Sequence, residues 1–176
     1  VPAPNQIQYK NEAFKMLATT LGGDSFLGRI LTGRIQSGTL KTGQNLIAMN
    51  RSGKKIESFR VSKILAFRGL KHQPIEIAEA GDIISICGMT KATVADTLSD
   101  PSVTVPIPAQ PIDPPTITVT FGINDSPLAG RDGKKVQSRV IKERLLRECE
   151  SNVAIKVVDS PGGEAFDVSG RGELQM

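Results

Sequence analysis

The segment 28–49 constrains the fold more than any other part of the chain, because apolar runs of strand length alternate in it with glycine turns. The runs are marked by Ile30, Ile35, Leu40, Leu46, Ile47 and Met49. Ser37-Gly38 has the composition of a tight reversal, after which Leu40 re-enters the sheet, and Gly43 permits a second turn. Short strands joined in this way predict a small antiparallel β-barrel.

Two further patterns extend the barrel. Apolar residues at odd positions between Ile56 and Phe67 predict one half-buried strand, which is followed by a polar loop at 68–72. Ala80-Gly81-Asp82 predicts a turn that leads into the nearly continuous apolar strand 83–87. The chain up to about residue 100 therefore consists of strands and turns.

A cluster of prolines marks an internal boundary. Its members are Pro101, Pro106, Pro108, Pro111, Pro114 and Pro115. Because proline is excluded from helix interiors and central strands, this segment predicts an extended connector with a boundary at 109–113. The predicted domains are 1–110 and 111–176. The second reads as a strand at 117–121, a helix at 134–150 and a hairpin of strands 153–158 and 165–168, which is a β-α-β-β order.

The predicted helix 134–150 has one apolar stripe. Ile141, Leu145 and Cys149 recur four residues apart, so they are expected to pack on the sheet. Charged residues, Lys142 among them, occupy the other faces. Those charges fit either a solvated surface or an RNA contact.

Four stretches resemble translational GTPases. The segment 28–49 and Ala-Gly-Asp-Ile at 80–83 resemble the second domain of translational GTPases, and Ser-Gly-Arg-Gly-Glu-Leu at 169–174 resembles the strand-to-helix turn in the third domain of elongation factor G. The run Asn-x-Ser-Pro-x-x-Gly-x-x-Gly-Lys at 124–134 is similar to the TypA (BipA) family. The resemblance implies an elongation-factor-type antiparallel β-barrel followed by a ferredoxin-like module that stops before its second helix.

An incomplete module has a consequence for packing. Without the second helix, alternating apolar residues such as Val153, Ile155 and Val157 are expected to be uncovered. We therefore expect partial disorder of this domain or its pairing with another chain, as in a dimer.

The resemblance also implies a function. Members of the TypA (BipA) family are GTPases that bind ribosomes in the cytoplasm and act in translation, ribosome assembly and adaptation to stress or cold. Their GTP and magnesium sites lie in an N-terminal domain, to which Val1-Pro2-Ala3-Pro4 reads as a linker. This sequence has no P-loop, because Gly133 is followed by Lys134 and Lys135 rather than by Lys and Ser or Thr. The chain alone is therefore expected to be no enzyme and to hold no cofactor or metal.

Basic residues supply the candidate contacts with ribosomal RNA. The segment 51–71 has seven lysines and arginines against Glu57 alone. Together with the loop 124–135, it gives the candidates Lys54, Lys55, Arg60, Lys63, Arg131, Lys134 and Lys135. A solubilising strand face explains the first four equally well, and a structural cap explains the loop. Because the chain has no tryptophan and one tyrosine, backbone docking is expected rather than base stacking.

Other chemistry finds little support. His72 has no cysteine or serine partner nearby and reads as a surface residue. Asp82, Asp96 and Asp100 fit turns better than a metal cage. Cys87 and Cys149 read as buried thiols in a reducing cytosol, and no apolar run is long enough to span a membrane. The alternative hypothesis is a free-standing RNA-binding β-barrel protein.

Overall fold

The computed structural model describes residues 9–24, 26–69, 71–110, 113–131, 137–152, 154–162 and 165–175. Contacts between Cα atoms divide the chain into two units, Val1–Pro111 and Ile112–Met176. In its described residues the first unit consists mainly of strands and turns, whereas the second contains three strands, an α-helix and one turn of 3-10 helix at Glu173–Gln175. No helix in the described ranges is both long and apolar enough to cross a membrane.

Antiparallel strands build the first unit. They are β1 (Lys15–Asp24), β2 (Gly28–Ser37), β3 (Thr39–Lys41), β4 (Asn45–Met49), β5 (Lys55–Arg60), β6 (Lys63–Arg68), β7 (Lys71–Ile75), β8 (Ile77–Glu79), β9 (Ile83–Cys87) and β10 (Thr97–Ser99). Eight of them form one sheet in the order β5-β4-β10-β1-β2-β9-β6-β7. The short strands β3 and β8 pair with each other, so Leu40 belongs to this separate ribbon rather than to the main sheet.

The main sheet curls on itself. β5 and β6 are separated by two residues in sequence, yet they lie near opposite ends of the strand order. The N–H of Val61 donates to the carbonyl of Gln44 at 2.9 Å, and the N–H of Ser62 donates to the carbonyl of Cys87 at 2.9 Å. These two linking residues therefore connect the two ends of the sheet. One buried cluster draws on strands throughout the order, including Leu46, Phe59, Ile64, Ile84 and Leu98. The predicted β-barrel is therefore confirmed.

The turn between β2 and β3 occurs where the sequence predicts it. Gly38 has φ +81°, and a Cβ placed there would lie 2.5 Å from the backbone nitrogen of Phe14. Both the left-handed backbone and the close approach of the chain require glycine. Ile35 and Leu40, on either side of the turn, are buried in the core.

The prediction of one strand from Ile56 to Phe67 is wrong, since β5 and β6 are separate. Between them the backbone passes so close to Gly88 that a Cβ there would lie 2.3 Å from the carbonyl oxygen of Arg60. The two linking residues also change the alternation, because Ile64, at an even position, is fully buried while Phe67 is exposed.

The prediction of a loop at 68–72 is also wrong in part. β6 and β7 form a hairpin in which Arg68 pairs with Lys71 and Phe67 pairs with His72. The rings of Phe67 and His72 meet edge to face, with centroids 4.4 Å apart. His72 is exposed on a strand, and this contact with an aromatic ring accounts for its position.

The second unit has the predicted β-α-β-β order. Its elements are β11 (Ile117–Gly122), α1 (Ser138–Ser151), β12 (Lys156–Asp159) and β13 (Ala165–Gly170), and the sheet order is β11-β13-β12. Ser126 and Leu128 take part in turns that precede the helix, since the N–H of Leu128 donates to Oγ of Ser126 at 3.2 Å. Assignment of this unit to the ferredoxin-like class stays a prediction.

The helix begins later than the sequence predicts. Gln137 has an extended backbone and caps α1, so the helix starts at Ser138 rather than at Lys134. The predicted stripe of Ile141, Leu145 and Cys149 is half-buried, and Cys149 contacts the backbone of Val157 on β12, as expected for the face turned toward the sheet. Lys142 was expected on a solvated face, but its Nζ forms a salt bridge with Asp159 of β12 at 2.8 Å.

The apolar residues expected to be uncovered are not the ones that are exposed. Ile155 is buried and Val157 is half-buried, while Val153 lies outside the described residues. The strand begins at Lys156 rather than at residue 153. Instead, Ile117 and Val119 of β11 are 36% and 42% exposed. The helix explains this difference, because its Lys142 contacts β12 and lies 5.8 Å from the Phe166 ring of β13, leaving β11 uncovered.

Candidate nucleic-acid interface

Lys54 and Lys55 lie where β4 turns into β5. Oδ1 of Asn50 organises this turn by accepting hydrogen bonds from the N–H of Ser52 at 3.0 Å and from the N–H of Lys54 at 2.9 Å. Both lysine side chains are exposed, and no salt bridge among the described residues involves either. Their ammonium groups are therefore free to meet an anion.

Arg60, at the other end of β5, has a structural contact. Its Nε–H donates to the carbonyl of Gly43 at 2.9 Å. Gly43 has φ +84°, and a Cβ on it would lie 3.4 Å from the guanidinium group, so the arginine lies against this turn. Arg60 thus holds the turn before β4 against the end of β5, and only part of its guanidinium group remains for a phosphate.

Lys63, the first residue of β6, is exposed and pairs in register with Cys87 of β9, which in turn pairs with Ile30 of β2. It lies near the end of the β1–β2 hairpin. Hydrogen bonds from the N–H groups of Phe26 and Leu27 lower the pKa of Asp24, and the charge of Lys63 adds to that effect. No salt bridge within the described ranges includes Lys63.

The four predicted barrel cations do not form one patch. Lys54 and Lys55 are at the start of β5, whereas Arg60 and Lys63 are at its far end. Five residue steps separate Lys55 from Arg60, which is about 17 Å at roughly 3.3 Å per residue. The barrel therefore offers two separate basic positions, and their contact with ribosomal RNA stays a prediction.

The candidates of the second unit are harder to place together. Arg131 is exposed, and its N–H donates to the carbonyl of Leu128 at 3.3 Å in a turn where Gly130 has φ +87°. Lys134 and Lys135 lie outside the described residues. The hydrogen bonds of 124–131 are those of turns, which supports the structural interpretation of this loop.

Glu57 has a role that its place in a basic run does not suggest. Its Oε1 accepts hydrogen bonds from the N–H groups of Lys91 and Ala92, both at 2.7 Å, and its Oε2 accepts one from Oγ1 of Thr90 at 2.9 Å. Burial raises the pKa of Glu57, but these hydrogen bonds outweigh it and the net pKa is lowered. The carboxylate therefore fixes the loop 90–92, on which Lys91 is exposed.

Phe26 is a second feature missed by sequence reasoning. It is 95% exposed, between β1 and β2. The pattern Asp-Ser-Phe-Leu-Gly at 24–28 is typical of a turn, because an aspartate can accept a hydrogen bond from the N–H two residues later and a glycine follows. Oδ1 of Asp24 does accept from the N–H of Phe26, at 2.8 Å.

Among the described residues, three other aspartates of the first unit stabilise turns. Asp82, Asp96 and Asp100 each accept a backbone N–H within a turn, from Glu79, Thr93 and Ser102, at 2.9, 2.8 and 3.0 Å. Burial is the main reason that the pKa of Asp96 is raised. In the parts of the chain that the structure describes, no three His, Cys, Asp or Glu residues come together as metal ligands.

Comparison with known proteins defines the class. Residues 28–99 match the family model described as elongation factor Tu domain 2. A crystal structure of a protein from Thermus thermophilus superposes with a TM-score of 0.66 at 18% identity, covering 99% of this chain and 24% of that one. The barrel is thus of the type found in elongation factors.

Sequence relatives are more specific. The large ribosomal subunit assembly factor BipA of Synechocystis is 43% identical over 94% of this chain, and that of Bacillus subtilis is 40% identical over 100%. A putative TypA-like elongation factor of Arabidopsis thaliana chloroplasts is 38% identical over 100% of the chain. The chain belongs to the BipA/TypA family. It spans 28% of the length of both bacterial relatives and 26% of the plant one.

Proposed function

We propose that this chain is the ribosome-docking and signal-relay part of a BipA/TypA GTP-binding protein, which acts in the cytoplasm in ribosome assembly, in translation and in adaptation to stress or cold. The observation that carries the proposal is a set of exposed barrel lysines that form no salt bridge in the described residues: Lys54, Lys55, Lys63 and Lys91. They belong to a chain that is related, over 94 to 100% of its length, to proteins named large ribosomal subunit assembly factors. RNA phosphates attract such ammonium groups.

In this proposal GTP hydrolysis is the work of the intact protein. As the family resemblance implies, GTP and magnesium bind a GTPase domain in cis, and the 176 residues of this chain contain no P-loop. The barrel contacts ribosomal RNA, and the second unit transmits the nucleotide state. Ile117 and Val119, the exposed apolar residues of β11, are the surface through which the second unit pairs with another chain.

Co-sedimentation with purified ribosomes over a salt series tests the docking role. We expect binding by the 176-residue chain that weakens as salt rises. Each phosphate contact contributes roughly 0.7 to 0.9 to the slope of log affinity against log salt, so a Lys54→Ala, Lys55→Ala variant that loses two contacts reduces the slope by about 1.4 to 1.8.

Lys156→Ala is the matched control, since Lys156 is also exposed on a strand but belongs to the second unit. The same test applies to Lys63→Ala combined with Lys91→Ala. Salt-independent binding, or equal slopes for the control and both double variants, would contradict the proposal.

A further inference from the structure

The end of the β1–β2 hairpin presents one aromatic ring to solvent. Phe26 is 95% exposed, although the backbone that carries it is held in place. Oδ1 of Asp24 accepts hydrogen bonds from the N–H of Phe26 at 2.8 Å and from that of Leu27 at 3.0 Å. Aromatic side chains usually gain stability by being buried, but this ring is exposed on an ordered turn. Its exposure therefore favours a role in binding.

This hairpin reaches beyond its neighbours. β1 and β2 are ten residues long and pair with each other as far as Asp24 and Gly28. On the outer sides, β10 pairs only with 15–17 of β1, and β9 pairs only with 30–34 of β2. The last residues of the hairpin therefore project past the rest of the sheet and carry Phe26 with them.

Two lysines lie on elements that adjoin this hairpin. Lys63 pairs with Cys87 of β9, and Cys87 pairs with Ile30 of β2, so Lys63 lies two strand spacings, or about 10 Å, from Ile30. Lys91 belongs to the loop that the hairpin itself contacts, because Nη1 of Arg29 donates to the carbonyl of Ala92 at 3.0 Å. Both lysines are exposed and form no salt bridge in the described residues. We call Phe26, Lys63 and Lys91 the tip surface.

The acidic groups near the tip surface are committed elsewhere. Asp24 accepts the N–H groups of its own turn, and Glu57 accepts those of the loop 90–92. These N–H dipoles partly screen the two carboxylates, while neither ammonium group is held in a salt bridge among the described residues.

The surroundings of Phe26 decide which ligand fits. On the hairpin, Gly23, Asp24 and Gly28 are exposed and Leu27 is half-buried, so one ring is the main apolar group of the tip surface. That is too little apolar area for a membrane anchor or for a hydrophobic protein pocket. A single ring, with two cations on the adjoining elements, suits an unpaired base with its flanking phosphates.

We propose that the tip surface binds RNA, with Phe26 stacked on an unpaired base and Lys63 and Lys91 contacting phosphates. This inference rests on the proposed ribosome-docking function and adds base stacking, for which the composition of the chain gives no indication.

A tryptophan reporter tests the stacking directly. The chain has no tryptophan, so Phe26→Trp introduces a single tryptophan, which can be excited apart from the one tyrosine, and deproteinised ribosomal RNA adds none. We expect saturable quenching when this RNA is added and little quenching with heparin, a polyanion without bases. Phe67→Trp is the matched control, since Phe67 is another exposed phenylalanine of the barrel whose ring contacts His72. It should show no saturable change.

Affinity gives an independent measure. Phe26→Ala should weaken RNA binding by about 5- to 150-fold, the range for loss of one stacked base, whereas Phe67→Ala should stay within about twofold. Because Phe26 is exposed, the substitution leaves the core intact, which circular dichroism checks.

The outcomes separate this inference from the function on which it rests. RNA binding that depends on the lysines but is unchanged by Phe26→Ala, with no quenching at position 26, overturns the stacking and leaves the docking role. Ribosome binding that needs Phe26 without quenching by RNA indicates a ribosomal protein as the partner and also overturns it. Absence of binding to both ribosomes and RNA overturns both proposals.

Discussion

Removal of the Glu57 carboxylate should destabilise the barrel and loosen the loop that carries Lys91. In Glu57→Ala, the N–H groups of Lys91 and Ala92, now bonded at 2.7 Å, lose their acceptor together with the N–H and hydroxyl of Thr90. Thr90 and Lys91 are exposed and can turn to water, whereas Ala92 is buried and cannot. An unpaired buried N–H costs roughly 1 to 3 kcal/mol, and each exposed group that loses its acceptor costs less. The free energy of unfolding should therefore fall by about 2 to 4 kcal/mol.

The assay is thermal and urea unfolding followed by circular dichroism, because the chain has no tryptophan. The expected loss lowers the Tm of the first unit, Val1–Pro111, by about 9 to 17 °C. Glu57→Gln keeps one acceptor oxygen without the charge and should lie between the wild type and Glu57→Ala. Glu76→Ala, at an exposed glutamate of the same unit, is the control and should change stability by less than about 0.5 kcal/mol.

The pH dependence follows from the lowered pKa of Glu57. A carboxyl whose folded-state pKa lies below its unfolded value stabilises the fold above the unfolded pKa, which is about 4.3 for glutamate, and loses this contribution as pH falls through the folded-state value. Wild type and Glu57→Gln should therefore differ most above about pH 5 and converge in acid. Two results would refute this reasoning. One is a Glu57→Ala variant as stable as the wild type, and the other is a stability difference between the wild type and Glu57→Gln that grows as the pH falls.

Three further predictions concern the barrel. Gly38→Ala should cost about 2 kcal/mol or more in urea unfolding, since the new Cβ would lie 2.5 Å from the backbone of Phe14 at φ +81°, and a neutral effect would contradict the close packing. The thiol of Cys87 is buried, and burial raises its pKa, so it should resist a thiol reagent at pH 8 in the native chain but react in urea. Rapid native labelling would count against this burial. Arg60→Ala should lower barrel stability by roughly 1 kcal/mol through loss of the hydrogen bond to Gly43. It should weaken ribosome binding less than the double variant Lys54→Ala, Lys55→Ala does. A larger loss of binding in Arg60→Ala than in the double variant would make Arg60 the main phosphate contact.

Local patterns predicted most of the strands, because the information lies within a few residues. The apolar runs around Ile35 and Leu46 and the glycine turn at Gly38 are local, and the structure contains them as β2, β4 and the turn to β3. The division between β5 and β6 is different. It depends on the approach of Gly88 to the backbone of Arg60, residues far apart in sequence, so alternation alone could not show it.

The candidate site was predicted less completely. Lysine content identified Lys54 and Lys63 as exposed cations but not the separation between them, which the length of β5 sets. Glu57 appeared as a minor acid in a basic run because its partners lie 33 to 35 residues away. Phe26 was detectable in principle from Asp24 and Gly28, but its exposure depends on how far the hairpin projects.

The most direct test of ribosomal docking is photochemical cross-linking of the chain to intact ribosomes. A benzoylphenylalanine introduced in place of Phe26 reports what lies within reach of the tip surface, and the same group in place of Phe67 reports a second exposed position of the barrel. We predict a light-dependent adduct with ribosomal RNA from position 26 and little or none from position 67. Equal labelling from both positions, or no RNA adduct from either, would contradict docking through this end of the barrel.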